Sequence, residues 1–250
     1  MILRDSYGGS SQECLRVTKE QELQQLILAV AGEVDVWTDQ ASWTPEPGSE
    51  AAHECANNEQ RVDGTAWGEG PVRTVFARAQ MAMKATIEHA RAMATLIDPN
   101  RPALTQEALT RAALESSSVG WWLLEPGLGA RRRVARMQLL RRNSAREYER
   151  TLDAISEDVT TAGGETIQVV EDYSVGLGLA AFTDKGKECE GEKRRSYTER
   201  AKLLTNQFGL EGAYEIYSSV AHGELAGLWR LFPNSMTASS GGAIWPSCSV

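Results

Sequence analysis

The 250-residue sequence has only three histidines, and no apolar run in it approaches the length of a membrane-spanning segment. A transmembrane helix needs about 20 consecutive apolar residues, so no contact with a membrane is predicted. The first residues lack the apolar stretch of a signal peptide. The four cysteines, Cys14, Cys55, Cys189 and Cys248, form no CxxC pair, which favours isolated thiols in a reducing compartment. We therefore expect a cytoplasmic protein.

The sequence also has no excess of positive charge, and its formal net charge is −8 at pH 7. That value argues against a globally basic nucleic-acid-binding protein and leaves room for a local basic patch. The sequence contains no P-loop, no GxSxG and no HExxH motif. Residues 176–181 match GxGxxA, but a dinucleotide site needs a strand directly before that motif. No cofactor is predicted.

Alanine, arginine and glutamate recur at helical spacing, whereas alternating β-branched runs are scarce. The apolar repeats predict helices over about 19–39, 72–97, 106–124, 129–154 and 212–232. A further short helix is predicted from the capping box of Ser196 and Glu199 to just before Gly209. Short connections between such helices favour antiparallel neighbours. The sequence therefore predicts one all-α domain, an antiparallel helical bundle of about five to seven helices.

Several segments do not follow this pattern. Residues 41–71 are punctuated by proline and glycine and are predicted to be a long polar insertion, a lid or flexible loop with one short helix from Ser49 to Arg61. Residues 165–182 fit a short strand or a helix, and we favour the helix. Residues 183–194 are predicted to be a charged loop. The two ends, 1–17 and 234–250, are expected to be loose tails.

The main candidate site lies in the last predicted helix. Tyr214, Ser218 and His222 recur at i, i+4 and i+8, so they share one face. The imidazole is the only one of these groups that exchanges protons near neutral pH. The pattern predicts a general base or a ligand-positioning site. A structural histidine within a hydrogen-bonded set fits the same pattern.

A second polar pair, Arg111 and Glu115, is also spaced i, i+4. The alanines between them allow close helix packing, so the pair is predicted to face the His222 helix, with Glu115 orienting the imidazole. An ordinary intrahelical ion pair is the alternative. The candidate catalytic residues are thus His222, Tyr214, Ser218, Glu115 and Arg111.

An arginine-rich helix contains eight arginines within about twenty residues. Three of them, Arg142, Arg146 and Arg150, form a stripe that predicts contacts with phosphate or nucleic acid. The alternative is a solvent-exposed face neutralised by nearby acids, of which the same stretch holds only Glu147 and Glu149.

Glu50 and His53 have the ExxH spacing found in helical di-metal proteins, which require a second copy and two more carboxylates. The sequence has no second copy. Together with His89 and His222 these residues form an incomplete pattern, and no metal is predicted.

The Arg-Ala-Ala-Leu-Glu segment at 111–115, the Trp-Trp-Leu-Leu-Glu-Pro segment at 121–126 and the late Tyr-x-x-x-Ser-x-x-x-His-Gly resemble a group of uncharacterised actinobacterial helical proteins. That group is in turn similar to the HEPN superfamily of helical bundles. The resemblance covers about 75–155 and 195–232. It implies a HEPN-like bundle, a homodimer and a nucleic-acid or phosphate-containing ligand.

HEPN ribonucleases use an arginine and a histidine with four to six residues between them, usually across a dimer. The corresponding positions before His222 are Glu215, Ile216 and Tyr217, which speaks against ribonuclease activity. Three functions stay open at this point. They are a HEPN-like protein that binds a nucleic acid or a phosphorylated ligand, a small-molecule enzyme with acid/base chemistry in a pocket over His222, and a non-enzymatic interaction protein.

Overall fold

The fold is described by a computed structural model over residues 18–40, 45–97, 104–155 and 165–222. These residues form eight α-helices: α1 Lys19–Gln40, α2 Glu50–Cys55, α3 Gly70–Thr95, α4 Leu104–Leu123, α5 Ala130–Ile155, α6 Ile167–Gly176, α7 Tyr197–Gln207 and α8 Ala213–Ala221. The predicted all-α class is confirmed. Within the described ranges, no helix combines the length and apolar character needed to cross a membrane.

Local capping signals mark the start of several helices. The Ser196 hydroxyl accepts a hydrogen bond from the Glu199 amide while the Glu199 carboxylate accepts one from the Ser196 amide, which is the predicted capping box of α7. The Ser49 hydroxyl accepts a hydrogen bond from the Ala52 amide and so caps α2, although α2 ends at Cys55 and not at Arg61. The favoured helix at 165–182 is present as α6.

The segment predicted as a charged loop contains a short 3-10 helix, Asp184–Gly186, and an antiparallel hairpin of two strands. Strand β1 is Glu188–Cys189 and strand β2 is Glu192–Lys193. Glu190 and Gly191 between them both have positive φ, 51° and 72°, as a two-residue type I′ turn requires. Two-residue strands are too short to show an alternating pattern in the sequence.

The core lies between α3, α4, α5 and the residues after α6. The most extensive helix packing joins α3 to α4. At their contact a Cβ on Gly120 would lie 3.3 Å from the Ala79 carbonyl oxygen, so glycine permits the close approach. Trp122, one turn away from Ser118, is fully buried in this core.

Residues 45–69 form a long connection that is fixed to the body of the protein. Trp67 is buried and its indole N–H donates to the Leu177 carbonyl at 2.8 Å. Glu54 and Cys55 of α2 are buried as well. These contacts hold the described part of the connection near α5 and α6, and none of them supports a lid over His222.

The face of α1 that packs against α3 is not the face that its apolar repeat predicts. Gln24 donates to the Ala94 carbonyl at 2.9 Å, and Ala31 and Thr38 are buried. Leu23, Leu26 and Val30 are exposed, although their apolar repeat is typical of a buried stripe. The predicted end of the last helix, 223–232, and the predicted tails lie outside the described residues.

Candidate functional site

Four of the five predicted catalytic residues meet between α4 and α8. Glu115 Oε1 accepts hydrogen bonds from Arg111 Nε and from the Tyr214 hydroxyl, both at 2.8 Å. Arg111 Nη1 lies 2.7 Å from His222 Nε2. The contact to the imidazole is therefore made by Arg111, and the predicted role of Glu115 as its direct partner is corrected. Glu115 acts on the histidine only through Arg111.

This arrangement indicates the hydrogen-bonding role of the imidazole Nε2. A guanidinium has only hydrogen-bond donors, so Nε2 of His222 must accept, and the neutral ring carries its proton on Nδ1. Burial lowers the pKa of Arg111, but the hydrogen bond and charge of Glu115 outweigh it, and the pKa lies above its usual value. Nε2 of His222 is therefore engaged by the Arg111 guanidinium.

The remaining groups of this stretch have structural partners. Tyr214 is buried, and its hydroxyl lies 3.4 Å from Thr198 Oγ1, which links α8 to α7. The fifth predicted residue, Ser218, contributes its backbone carbonyl, which accepts from the His222 amide at 3.0 Å. His222 itself is exposed. The stretch is thus a polar cluster that joins α4, α7 and α8.

The first half of α5 carries arginines that are buried and paired with distant glutamates. Arg133 donates to both carboxylate oxygens of Glu54, at 2.6 and 2.8 Å. Arg136 pairs with Glu192 at 2.6 Å and with Glu125 at 2.5 Å. The acids come from α2, from the turn after α4 and from β2, so sequence proximity to α5 could not reveal them.

The same helix holds the hairpin in place. Arg131 pairs with Glu190 at 2.8 Å and with Glu59 at 3.0 Å, and Arg132 Nε donates to Glu192 at 2.6 Å. Burial raises the pKa of Glu190, but the bonds from Arg131 and the Ala180 amide outweigh it and keep that pKa below its usual value. The hairpin is therefore joined to α5 by ionised groups.

The three arginines predicted to contact phosphate also have acidic neighbours. Arg142 Nε donates to Glu171 at 2.6 Å, and Arg146 and Arg150 both reach Glu147, at 3.2 and 3.3 Å. These carboxylates already compete for the guanidinium donors. The assignment of Arg142, Arg146 and Arg150 to phosphate contact stays a prediction.

A cavity of about 580 Å³ opens beside the second half of α5, between that helix and the segment from the end of β2 to α7. Its floor is apolar, with Val119, Met137 and Leu140. Its polar side chains are Asn143, Ser144, Glu147, Ser196 and Tyr197. Five arginines from three helices and the hairpin end also line it: Arg78, Arg141, Arg194, Arg195 and Arg200.

Most of these cavity arginines lack an acidic partner. Arg141 pairs with both oxygens of Glu165, and Arg194 donates to the neutral amide oxygen of Asn143. Within the part of the chain that the structure describes, no carboxylate forms an ion pair with Arg78, Arg194, Arg195 or Arg200. We refer to these four as the unpaired arginines. Burial lowers the pKa of Arg194 and of Arg200, and the nearby charge of Glu199 opposes this lowering.

Arg200 is the most unusual member of this set because its side chain is only 3% exposed. Its guanidinium lies over the rings of Tyr197 and Trp122, with ring centroids at 4.8 and 5.6 Å, and one of its donors reaches the Arg195 carbonyl. Its Nε has no acceptor among the described residues. Burial lowers the pKa of Arg200. The nearby Tyr197, Glu115 and Glu199 oppose this lowering, and the charge of Arg194 adds to it.

The residues of the incomplete metal pattern are not brought together. Glu50 accepts from the Gly127 amide at 3.0 Å, while His222 lies against Arg111. Among the described residues no group of three histidine, cysteine or acidic side chains is placed to hold a metal ion.

The cavity arginines were not among the site residues predicted from the sequence. Lys193, Arg194 and Arg195 form a basic run directly before the capping box of α7, which was a usable signal. Arg78 and Arg200 are isolated in the sequence and carry no such signal. Comparison of the chain with protein-family models, with curated proteins and with solved structures finds no match.

Proposed function

We propose that this protein binds a phosphorylated small molecule in the arginine-lined cavity. The observation that carries the proposal is the buried, unpaired guanidinium of Arg200. Removing a charge from water without a partner is costly, by several kcal/mol for a fully buried ion. A cation kept in that state beside a cavity is best explained by an anionic ligand that completes its hydrogen bonds.

The residue type supports a phosphoryl group in particular. Arginine presents a planar set of donors that forks onto phosphate or carboxylate oxygens, and such charge-assisted bonds are stronger than neutral ones. The cavity volume falls in the range of roughly 300–1,000 Å³ that is usual for small-molecule sites. The apolar floor lowers the local dielectric and strengthens each ion contact.

A nucleic acid fits the arrangement less well than a small ligand. Backbone recognition uses basic groups spread along a surface that follows successive phosphates, whereas the unpaired arginines converge on one cavity. The HEPN-like relationship and the homodimer are compatible with this proposal and are not needed for it.

The polar cluster around His222 supports a positioning role for its residues. Since Arg111 occupies Nε2, an acid/base reaction at that nitrogen would first require the Arg111 contact to break. A small-molecule enzyme is therefore the weaker alternative, and we carry the binding function forward.

Isothermal titration calorimetry of the purified protein with inorganic phosphate at low ionic strength tests the proposal. Binding is expected for the parent protein, and Arg200→Gln is expected to weaken it about 10- to 100-fold, the factor for one lost charge-assisted contact. Lys202→Gln is the matched control, because it removes one positive charge from the same helix outside the cavity lining. Equal weakening by both variants, or no binding to the parent, would contradict the proposal.

A further inference from the structure

The N-terminus of α7 borders the arginine-lined cavity. Ser196, the N-cap residue, and Tyr197, the first residue of the helix, both line the cavity, as does Arg200 one turn further on. The first amides of a helix have no acceptor within it. The capping box engages the amides of Ser196 and Glu199. The amides of Tyr197 and Thr198 are left without an acceptor among the described residues.

The Arg200 side chain points back toward this end of α7. Its guanidinium donates to the Arg195 carbonyl, just before the N-cap, and lies 4.8 Å from the centroid of the Tyr197 ring. The side chain is only 3% exposed, and its Nε has no acceptor among the described residues. A buried donor without an acceptor therefore lies beside the free amides of the first turn. Such amides, with the positive end of the helix dipole, favour an anion.

Two carboxylates act on the charge of Arg200, and neither forms an ion pair with it among the described residues. Burial lowers the pKa of Arg200, while Tyr197, Glu115 and Glu199 oppose this lowering. Glu115 is engaged by side chains of α4 and α8. The Glu199 carboxylate accepts a hydrogen bond from the Ser196 amide at 2.6 Å. Glu199 therefore lies on the same turn as the free amides and repels an anion bound there, and this repulsion can be measured.

We infer that the N-terminus of α7 binds the terminal phosphoryl group of a phosphomonoester, with the Tyr197 and Thr198 amides and Arg200 as donors. This inference rests on the proposed function and names the ligand class of the same cavity. A phosphomonoester presents three free oxygens, one for each of these donor groups. A phosphodiester presents two free oxygens and a single negative charge, so the site favours the monoester.

The first measurement removes one backbone donor from the site. Proline is well tolerated at the first position of a helix, and Ser196 has φ −64° and ψ 166°, the extended conformation preferred before proline. Tyr197→Pro deletes the amide hydrogen and the ring, whereas Tyr197→Ala deletes the ring and keeps the amide. Calorimetry with inorganic phosphate is expected to show about 10-fold weaker binding for Tyr197→Pro than for Tyr197→Ala, the factor for one lost hydrogen bond to a charged group.

Equal phosphate affinities of these two variants would overturn the inference and leave the proposed function standing. Absence of phosphate binding by the parent protein would overturn both. Circular dichroism of the two variants separates loss of binding from loss of helix. If Tyr197→Pro loses helix content, the decision passes to a charge variant that leaves the backbone intact.

That variant is Glu199→Gln, which tests the position of the anion through charge. Glutamine serves in a capping box as glutamate does, so α7 keeps its cap while the repelling charge is removed. Phosphate is expected to bind about 3- to 10-fold more tightly at low ionic strength. Glu215→Gln is the matched control, because Glu215 pairs with Lys202 outside the cavity lining, and it is expected to leave the affinity unchanged. Equal affinities of the two variants would overturn an anion site at this end of α7.

Methyl phosphate and dimethyl phosphate then test the ligand class with bodies of similar size. The monoester is expected to bind about 10-fold more tightly than the diester at matched ionic strength, because it offers one more charged oxygen. Equal affinities of the two esters would overturn the assignment to a phosphomonoester, while phosphate binding by the parent protein would still support the proposed function.

Discussion

Buried arginines beside the two halves of α5 differ in their partners. In the first half of α5, Arg133 and Arg136 are buried and each meets a carboxylate at 2.6 Å. In the cavity beside the second half, Arg200 is equally buried and meets none among the described residues. A paired guanidinium holds the fold together, whereas we propose that the buried guanidinium without an ion pair binds a ligand.

The paired region also builds the cavity. Arg131, Arg132 and Arg136 bind the acids of the hairpin, and the hairpin leads directly into Arg194 and Arg195. The position of the unpaired arginines thus depends on the paired ones. A change in the paired set is therefore expected to affect stability and binding together, whereas a change in the unpaired set is expected to affect binding alone.

The largest effect is expected from Glu54→Gln, which leaves Arg133 buried without its counter-charge. Breaking a buried ion pair from one side costs about 3–5 kcal/mol, and urea denaturation measures this loss in the free energy of unfolding. Glu69→Gln is the control, since Glu69 pairs with Arg73 on the surface and such pairs contribute at most about 1 kcal/mol. Similar losses of unfolding free energy in the two variants would contradict the expected difference in strength between buried and exposed ion pairs.

Arg200→Met and Arg133→Met apply the same substitution to the two kinds of buried arginine. Arg200→Met is expected to leave the urea midpoint unchanged or raise it, because a buried cation without an ion pair is removed, and to weaken phosphate binding about 10- to 100-fold. Arg133→Met is expected to destabilise the protein by about 3 kcal/mol or more, since Glu54 is left buried and unpaired. Equal destabilisation would show that Arg200 is a structural residue and not a ligand contact.

Lowering the pH tests this comparison further, because the ion pairs between α5 and the hairpin require ionised carboxylates. The folded-state pKa of Glu190 is lowered from 4.5, where burial is outweighed by Arg131 and the Ala180 amide. Its contribution is therefore present above about pH 4.5 and is lost as pH falls through the folded pKa. The difference in unfolding free energy between the parent and Glu190→Gln, measured in urea from pH 6 to pH 3, is expected to shrink toward acid. A constant difference would contradict the role of the ionised carboxylate.

The smallest effects are expected in the polar cluster. Tyr214→Phe removes a buried hydroxyl that donates to Glu115 and is expected to cost about 1 kcal/mol. His222→Ala changes an exposed side chain and is expected to alter the unfolding free energy by no more than about 0.5 kcal/mol. Thermal or urea denaturation ranks the two, and a larger loss for His222→Ala would make the imidazole the main support of the cluster.

Helical periodicity was sufficient for most of the architecture. The repeats of α1, α3, α4 and α5 predicted these helices to within a few residues, and the capping box at Ser196 predicted the start of α7. Capping depends on residues three apart in the chain, so it is readable without the fold. The two-residue strands of the hairpin carry no such local signal.

The candidate site was predictable only where residues share one helix. The spacing of Arg111 with Glu115 and of Tyr214 with His222 indicated two polar faces, and the structure brings those faces together. Which atom meets the imidazole depends on the relative position of α4 and α8, and that position selects Arg111 over Glu115. Leu23, Leu26 and Val30 make the same point, because their apolar repeat did not determine which face of α1 meets α3.

By itself the sequence determined the helical class, most helix boundaries and the two polar faces, because each depends on contacts within three or four residues. Only the tertiary structure decided which arginines are neutralised. Arg133 and Glu54 are distant in the chain, as are Arg136 and Glu192, so only packing can pair them. Packing likewise left Arg200 buried without an ion pair among the described residues. Whether a charged side chain is neutralised depends on its neighbours in space. The arginine-lined cavity could therefore be recognised only from the folded structure.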